Sequence, residues 1–133
     1  MNSASYKKPL IVAVDDNQDN LLLLEYQLLE VIDCQLVTAI DGETALSLIQ
    51  DKLPDLVLMD VLMPGMDGAE VIRCLKRSPQ TASIPVIALT ALARNEEREL
   101  ILESGCDDYL SKPYDLADLQ TAILRHLGVR SLL

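Results

Sequence analysis

Three acidic side chains stand at the ends of two apolar segments of this chain. Asp15 and Asp16 follow the run Leu10–Val14, and Asp60 follows the run Leu56–Met59. If both runs are buried parallel strands, their carboxyl ends deliver the three carboxylates to one edge of one sheet. Like charges at short range repel one another unless a cation lies among them. Mg²⁺, a hard cation that prefers oxygen ligands, suits an open carboxylate site of this kind.

Two further polar side chains stand at strand-like ends in the second half of the chain: Thr90 follows the apolar run that ends at Leu89, and Lys112 follows the short segment Asp108–Ser111. Together with the acids they suit phosphoryl transfer. Mg²⁺ held by Asp16 and Asp60 could neutralise charge on a phosphoryl oxygen. Asp60 could then act as the nucleophile that forms an aspartyl-phosphate. Thr90 would hold one remaining phosphoryl oxygen by a hydrogen bond, and Lys112 would hold another as a point charge.

Apolar runs alternate along the chain with segments of helical periodicity. These runs and segments are the strands and helices that must position the residues above. The predicted strands are Leu10–Val14, Gln35–Ile40, Leu56–Met59, Pro85–Leu89 and Asp108–Ser111. The predicted helices are Asn17–Val31, Asp41–Gln50, Asp67–Lys76, Asn95–Glu103 and Asp115–His126. Five βα units in a chain of 133 residues predict one domain with a parallel sheet and helices on both faces.

Local signals mark several ends of these elements. Asp41 and Asp67 stand where a helix begins and are predicted N-caps, and Glu70 gives the second a capping-box spacing. Gly105 follows the fourth helix as a C′ glycine. Pro113 follows the strand-end lysine, where an X–Pro bond can be cis.

Composition excludes several classes of function. The formal net charge of −10 argues against direct binding to nucleic acid or to an anionic membrane, because both need a basic surface. The three cysteines are far apart and form no CxxC or Cys/His cluster, which predicts reduced thiols in a cytoplasmic protein. No apolar run approaches the roughly 20 residues of a membrane span, and no signal peptide is evident.

The ordered set of motifs resembles the receiver domain of bacterial response regulators, the chemotaxis-regulator-like switches of two-component signalling. The residues that carry the resemblance are Asp15-Asp16, Asp60, Met63-Pro64-Gly65-Met66-Asp67-Gly68, Thr90 and Lys112-Pro113. The resemblance implies a doubly wound, five-stranded parallel sheet of the (βα)5, flavodoxin-like type with strand order 2-1-3-4-5. It also implies a receiver domain over residues 9–128, a flexible N-terminal segment over 1–8 and a short tail over 129–133.

The resemblance implies how the site works. A histidine kinase or a phosphotransfer protein would pass a phosphoryl group from a phosphohistidine to Asp60. Mg²⁺, for which Mn²⁺ can substitute, would be bound by Asp16, Asp60 and the backbone carbonyl of Leu62, with Asp15 contacting it through water. The chain would be a phosphoprotein of a phosphorelay and no enzyme beyond its own phosphorylation and dephosphorylation.

The resemblance also implies how phosphorylation of Asp60 is communicated to a downstream protein. Thr90 and Tyr109 would form the switch, with Gly68 and Pro113 in supporting positions. The surface of the fourth helix, fifth strand and fifth helix would then control a downstream protein, in a monomer or a weak phosphorylation-dependent homodimer. Leu62 is apolar where some family members have a polar side chain, and Leu92 is bulky. An apolar screen at these two positions predicts slow attack by water and a moderately long-lived phosphoryl state.

Several alternatives are open at this point. A stand-alone single-domain regulator is favoured, because little chain follows Gly128 and Met1 can be a natural start; a receiver fragment of a hybrid histidine kinase is the alternative. A Mg²⁺-dependent phosphatase of the haloacid-dehalogenase type would also use an aspartyl-phosphate, but it typically needs an acid where Leu62 stands. A flavin or nucleotide module lacks its Gly-rich loop here, since Asp15-Asp16-Asn17 follows the first strand. A degenerate receiver would serve only as a binding scaffold.

Overall fold

Five parallel strands form one sheet in the part of the chain that the structure, a computed structural model, describes: residues 8–61, 67–91 and 95–127. The strands are β1 (Leu10–Val14), β2 (Gln35–Ala39), β3 (Leu56–Asp60), β4 (Val86–Thr90) and β5 (Asp108–Ser111). Their spatial order is β2-β1-β3-β4-β5, so the predicted doubly wound sheet and its strand order are confirmed.

Each strand is followed by a helix. The helices are α1 (Gln18–Val31), α2 (Gly42–Lys52), α3 (Gly68–Arg77), α4 (Asn95–Glu103) and α5 (Leu116–Leu127). All five predicted strands and all five predicted helices are present, with bounds that differ from the predicted ones by at most two residues. None of the helices in the described residues is both long enough and apolar enough to cross a bilayer.

The two faces of the sheet carry separate cores, because successive strand residues point to opposite sides. On one face, Val12, Val57 and Met59 pack with buried residues of α2, α3 and α4. On the other face, Ile11 and Leu58 pack with buried residues of α1 and α5. Strands β1, β3 and β4 are buried on both faces, which explains why they read as continuous apolar runs.

The predicted helix caps are present. Asp41 Oδ1 accepts a hydrogen bond from the Thr44 amide at 2.7 Å, and Asp67 Oδ1 accepts one from the Glu70 amide at 2.8 Å. Gly105 has φ +93°, as a C′ glycine requires. The Lys112–Pro113 peptide bond is cis.

The ion pair of Lys76 and Asp107, here called the clamp, joins α3 to the segments that precede β4 and β5. The Lys76 ammonium donates to the carbonyls of Ala82 and Ile84 at 3.1 and 2.8 Å, and to Asp107 Oδ2 at 2.8 Å. The same Asp107 oxygen accepts from the Val86 amide at 2.8 Å. The clamp therefore fixes the relative register of the two strands that end in Thr90 and Ser111.

Leu53, which ends α2, has a left-handed backbone with φ 47° and a half-exposed side chain. We expect Leu53→Asn to raise the free energy of unfolding by about 0.5–1 kcal/mol, because Asn tolerates this region better than a branched apolar residue. Urea denaturation measures the change. Leu53→Ala, which removes similar atoms but keeps the strained backbone, is the matched control; equal stabilisation by both substitutions would contradict the explanation.

Candidate metal and phosphoryl site

The carboxyl ends of β1 and β3 bring Asp15, Asp16 and Asp60 together. One carboxylate oxygen of each lies within 4.8 Å of the others. Asp15 is 3% exposed and Asp60 is 7% exposed, whereas Asp16 is open to solvent. Three clustered carboxylates, one of them facing water, form a donor set that fits a hard divalent cation with water in its remaining positions.

The parallel ladder sets this convergence. Val14 of β1 is in register with Met59 of β3, so the residues that follow them share one edge of the sheet. The Asp15 amide donates to the carbonyl of Ala39 at 3.2 Å, which continues the ladder one residue past β1. Asp15 and Asp60 are therefore held by the backbone of the sheet, whereas Asp16 lies in the bend that leads into α1.

Asp15 also contacts the fifth strand end. Its Oδ1 accepts a hydrogen bond from the Asn17 amide at 2.9 Å, and its Oδ2 lies 3.4 Å from the Lys112 ammonium. This ion pair joins residues at opposite ends of the chain. It places a cation beside the acidic cluster before any phosphoryl group is bound.

Thr90 and Lys112 lie side by side at the ends of β4 and β5. The Lys112 amide donates to the carbonyl of Thr90 at 2.7 Å, and the Thr90 side chain is fully buried. Asp60 is in register with Leu89, one residue before Thr90. The structure thus brings Asp15, Asp16, Asp60, Thr90 and Lys112 to one edge of the sheet, as the sequence predicts.

Gly68, the first residue of α3, packs against the backbone that carries Asp60. A Cβ at this position would meet the carbonyl oxygen of Asp60 and would lie 2.6 Å from Cα of Val61. The Gly68 amide also donates to the carbonyl of Val61 at 3.3 Å. The supporting position predicted for Gly68 therefore has a steric basis, since no larger residue allows this approach.

Tyr109 is half-buried between α4 and the sheet. The guanidinium carbon of Arg98 lies 5.9 Å from the centre of its ring, within the range of a cation–π contact. No sequence pattern pairs these residues, because Arg98 lies in a charged helical segment that is typical of a solvated face. Tyr114, which lies at the site beside Lys112, was also not predicted; its place directly after Lys-Pro is the signal that could have identified it.

Asp108, next to Tyr109, is bound by the end of α5. Its Oδ2 lies 2.6 Å from Arg125 Nη1 and 3.1 Å from His126 Nε2. Burial opposes ionisation of Asp108, but hydrogen bonds from His126, the Tyr109 amide and Arg125 outweigh burial and hold the pKa of its carboxyl below its usual range.

We expect Asp108→Asn to lower the free energy of unfolding by about 1 kcal/mol near pH 7. Because the folded-state pKa lies below the unfolded one, the stabilisation is fully present above the unfolded pKa of about 3.9. It is lost as the pH falls through the folded-state pKa. Urea denaturation of both proteins across this acidic range measures the difference; a difference that does not change with pH would contradict the assignment.

Removal of one acid should raise the melting temperature without metal and reduce the stabilisation that Mg²⁺ provides. In metal-free buffer, Asp16→Asn should melt slightly above the natural protein, because it relieves repulsion within the acidic cluster. With Mg²⁺ at 100 times its dissociation constant, the natural protein gains about 2.7 kcal/mol and the variant should gain far less. Calorimetry with and without Mg²⁺ measures both effects. Asp51→Asn, at an exposed acid on α2, is the control, and equal Mg²⁺ stabilisation of all three proteins would refute the site.

Comparison with known proteins identifies the family. The family model described as the response regulator receiver domain matches residues 11–124. The chain belongs to the response regulator receiver domain family. It is therefore a receiver domain of two-component signalling, and receiver domains are signalling switches that are generally not classed as enzymes.

This receiver domain has relatives of different architecture. It is 41% identical over 128 residues to the sensor protein GacS of Pseudomonas syringae pv. syringae, covering 94% of this chain and 14% of that protein. It is 48% identical over 105 residues to the response regulator PleD of Caulobacter vibrioides, covering 79% of this chain and 23% of that protein. The polar-differentiation response regulator DivK of Brucella anthropi is 36% identical over 118 residues, with 89% of this chain and 95% of that protein covered.

Solved structures share the fold of this receiver domain. The receiver domain of the sensor histidine kinase PA1611 from Pseudomonas aeruginosa PAO1, with a magnesium ion coordinated in the active site cleft, has a TM-score of 0.85 and 32% identity. The match covers 92% of this chain and all of that one. The Mn(2+)-bound form of the response regulator Rcp1 has a TM-score of 0.76 and 28% identity, covering 94% of this chain and 99% of that one. Both metals predicted from the resemblance thus occur in receiver structures similar to this chain.

Some predicted positions lie outside the described residues. Leu62, whose carbonyl is a predicted metal ligand, is among them, and so is Leu92. The predicted tail over 129–133 and nearly all of the predicted segment over 1–8 also lie outside them. The ligand role of Leu62 and the lifetime of the phosphoryl state stay predictions.

Proposed function

We propose that this receiver domain accepts a phosphoryl group on Asp60 from a phosphohistidine. The observation that carries the proposal is a nearly buried carboxylate at the tip of a central strand, with two more carboxylate oxygens within 4.8 Å. Lys112 lies at the same edge, 3.4 Å from Asp15. A cluster that concentrates negative charge around one buried acid suits a cation-dependent nucleophile.

The proposed step is a displacement at phosphorus. A carboxylate oxygen of Asp60 attacks the phosphorus atom, a P–O bond forms, and the P–N bond to the donor imidazole breaks. The imidazole nitrogen that leaves takes up a proton. Lys112 and Thr90 then hold phosphoryl oxygens, by charge and by a hydrogen bond respectively, so that the negative charge is stabilised in a partly dry site.

The proposed metal site uses Asp16, Asp60 and the carbonyl of Leu62, with Asp15 in contact through water. Mg²⁺, or Mn²⁺ in its place, would neutralise negative charge on the Asp60 carboxylate and on the transferred phosphoryl group. The chain's own contribution is to hold the carboxylates of Asp15 and Asp60 in place by the sheet ladder and to keep Asp60 shielded from bulk solvent.

The proposed switch is Thr90 with Tyr109, and the proposed output is the surface of α4, β5 and α5. Thr90 lies on the strand beside β5, and Ala88 two residues before it is in register with Tyr109. Movement of Thr90 toward a phosphoryl group would free space on the Tyr109 side of the sheet. A downstream protein would bind the resulting surface, with the chain as a monomer or a weak phosphorylation-dependent homodimer.

The same switch serves either architecture of the relatives. The match to DivK covers 95% of that regulator, which supports a stand-alone domain, and the match to GacS supports a receiver within a longer sensor. We propose the stand-alone regulator acting in the cytoplasm, where the three free cysteines would stay reduced.

Incubation with acetyl phosphate and Mg²⁺ tests the proposal without a partner protein. Intact-mass spectrometry should show the mass of one phosphoryl group added per chain, and chelation of the metal by EDTA should prevent the addition. Failure to form any adduct, with Mg²⁺ binding intact, would assign the domain to a scaffold role instead.

A further inference from the structure

The ring of Tyr109 lies on the same face of the sheet as the Thr90 side chain. Tyr109 packs against the core that contains Ala88, and the two residues are in register between β5 and β4. Thr90 follows Ala88 by two positions in β4, so their side chains point to the same face. The Tyr109 ring can therefore move toward Thr90 along one face of the sheet without crossing it.

The main chain at Tyr109 is fixed, so the ring can move only by rotation of the side chain. Asp108 Oδ1 accepts a hydrogen bond from the Tyr109 amide at 2.9 Å, and Asp108 Oδ2 is bound by Arg125 and His126 of α5. In the part of the chain that the structure describes, no hydrogen bond holds the Tyr109 hydroxyl. The position of the ring therefore depends on packing and on its contact with Arg98.

Arg98 adjoins the sheet-facing side of α4. It lies three positions before Ile101, which is 2% exposed, and residues three apart are neighbours on a helix surface. The Ile101 carbonyl accepts hydrogen bonds from the Ser104 amide at 3.2 Å and from the Cys106 thiol at 3.3 Å, which fixes the end of α4. The Arg98 guanidinium carbon is thereby held 5.9 Å from the centre of the Tyr109 ring.

No acid competes with the ring for the Arg98 cation. The residues three and four positions from Arg98 are Arg94, Asn95, Ile101 and Leu102, so a carboxylate does not face it along the helix. Among residues 8–61, 67–91 and 95–127, none forms an ion pair with Arg98 either. The guanidinium is therefore available to the negative face of the ring, and an exposed cation–π contact shifts a two-state equilibrium by about two- to fivefold.

We propose that Arg98 is a positioning residue, here called the latch, that holds Tyr109 away from Thr90 until Asp60 is phosphorylated. The inference rests on the proposed function, because it adds an opposing contact to the proposed switch. The contact belongs to the observed position of the ring, so rotation toward Thr90 breaks it. A contact made in one of two states favours that state by the strength of the contact and no more. The latch thus lowers the population of the switched state in the unphosphorylated chain.

Beryllium fluoride with saturating Mg²⁺ is the probe, because it binds an aspartate as a non-reacting analogue of the phosphoryl group. Arg98→Met removes the cation and keeps a long side chain that favours helix. It should bind beryllium fluoride about two- to fivefold more tightly than the natural protein in titration calorimetry, because binding no longer has to break the latch. Arg98→Lys keeps a cation and should give an intermediate affinity. Arg77→Met, the same chemical change at an exposed arginine of α3, is the matched control and should change nothing.

A second background separates the latch from a general effect of charge or of helix stability. The latch acts only through the ring, so Arg98→Met should leave beryllium fluoride affinity unchanged when Tyr109→Leu is also present. A role of Arg98 in the stability of α4 alone would instead give the same change in both backgrounds.

Two results would overturn the latch. One is beryllium fluoride affinity in Arg98→Met that equals or falls below that of the natural protein. The other is a gain in affinity that persists in the Tyr109→Leu background. Labelling of the natural protein by acetyl phosphate is measured in parallel, and labelling that persists alongside either result overturns the latch alone. A natural protein that neither accepts a phosphoryl group nor binds beryllium fluoride overturns the proposed function together with the latch.

Discussion

Asp60→Asn is expected to abolish the phosphoryl adduct formed with acetyl phosphate and Mg²⁺ while the fold stays intact. The amide has nearly the shape of the carboxylate, but its oxygen and nitrogen are too weakly nucleophilic to attack phosphorus. The substitution also removes one charge from a cluster whose oxygens lie within 4.8 Å, so it should not lower the melting temperature in metal-free buffer. Intact-mass spectrometry gives the adduct, and calorimetry gives the stability.

The matched control for Asp60→Asn is Asp51→Asn, the same chemical change at an exposed acid on α2. This control should form the adduct as the natural protein does. An adduct that survives in Asp60→Asn would place the phosphoacceptor elsewhere, and mapping of the labelled peptide would then distinguish Asp15 from Asp16.

Gly68→Ala is expected to lower the free energy of unfolding by about 3 kcal/mol and to impair metal binding. The added methyl group would overlap the carbonyl oxygen of Asp60 and lie 2.6 Å from Cα of Val61. These are backbone atoms of a strand end and cannot rotate away, so the clash costs as much as severe overpacking of a core. Either α3 moves outward or the peptide that carries Asp60 shifts, and both changes disturb the acidic cluster.

Urea denaturation and Mg²⁺ titration followed by calorimetry test the two parts of the Gly68 prediction. Ala69→Ser, one residue further along α3 at a half-exposed position, also adds a single heavy atom and should alter stability by less than about 0.5 kcal/mol. If Gly68→Ala matched this control in stability and in Mg²⁺ affinity, the close packing of α3 on the site would contribute to neither property.

The elements of the fold were predictable because their signals are local. Continuous apolar runs indicate strands buried on both faces, and β3 and β4 are such strands. The spacing of Asp67 and Glu70 marks the start of α3, where the cap bond is present at 2.8 Å. Convergence of the three acids followed from topology, since the carboxyl ends of parallel strands share an edge.

The individual contacts between residues distant in sequence were not predictable, although their convergence at one edge was. Asp15 and Lys112 are 97 positions apart, and nothing local to either residue indicates a 3.4 Å ion pair. The steric need for Gly68 depends on how closely α3 approaches β3, which no sequence pattern encodes. The run Leu21–Leu24 in α1 shows the same limit. Its sequence fits buried and exposed positions equally, and the structure shows that Leu21 and Leu24 are buried whereas Leu22 and Leu23 are exposed.

The hydrogen bond from Gln120 to the carbonyl of Val31 joins α5, a helix of the proposed output surface, to the end of α1. α1 begins two residues after Asp16, so it also adjoins the acidic cluster. Where two binding events are coupled through a shared element, each changes the affinity of the other by the same factor. A target that favours one position of α5 would thus alter how tightly the acidic cluster binds its cation. Occupancy of the output surface would then change how readily the same chain is phosphorylated.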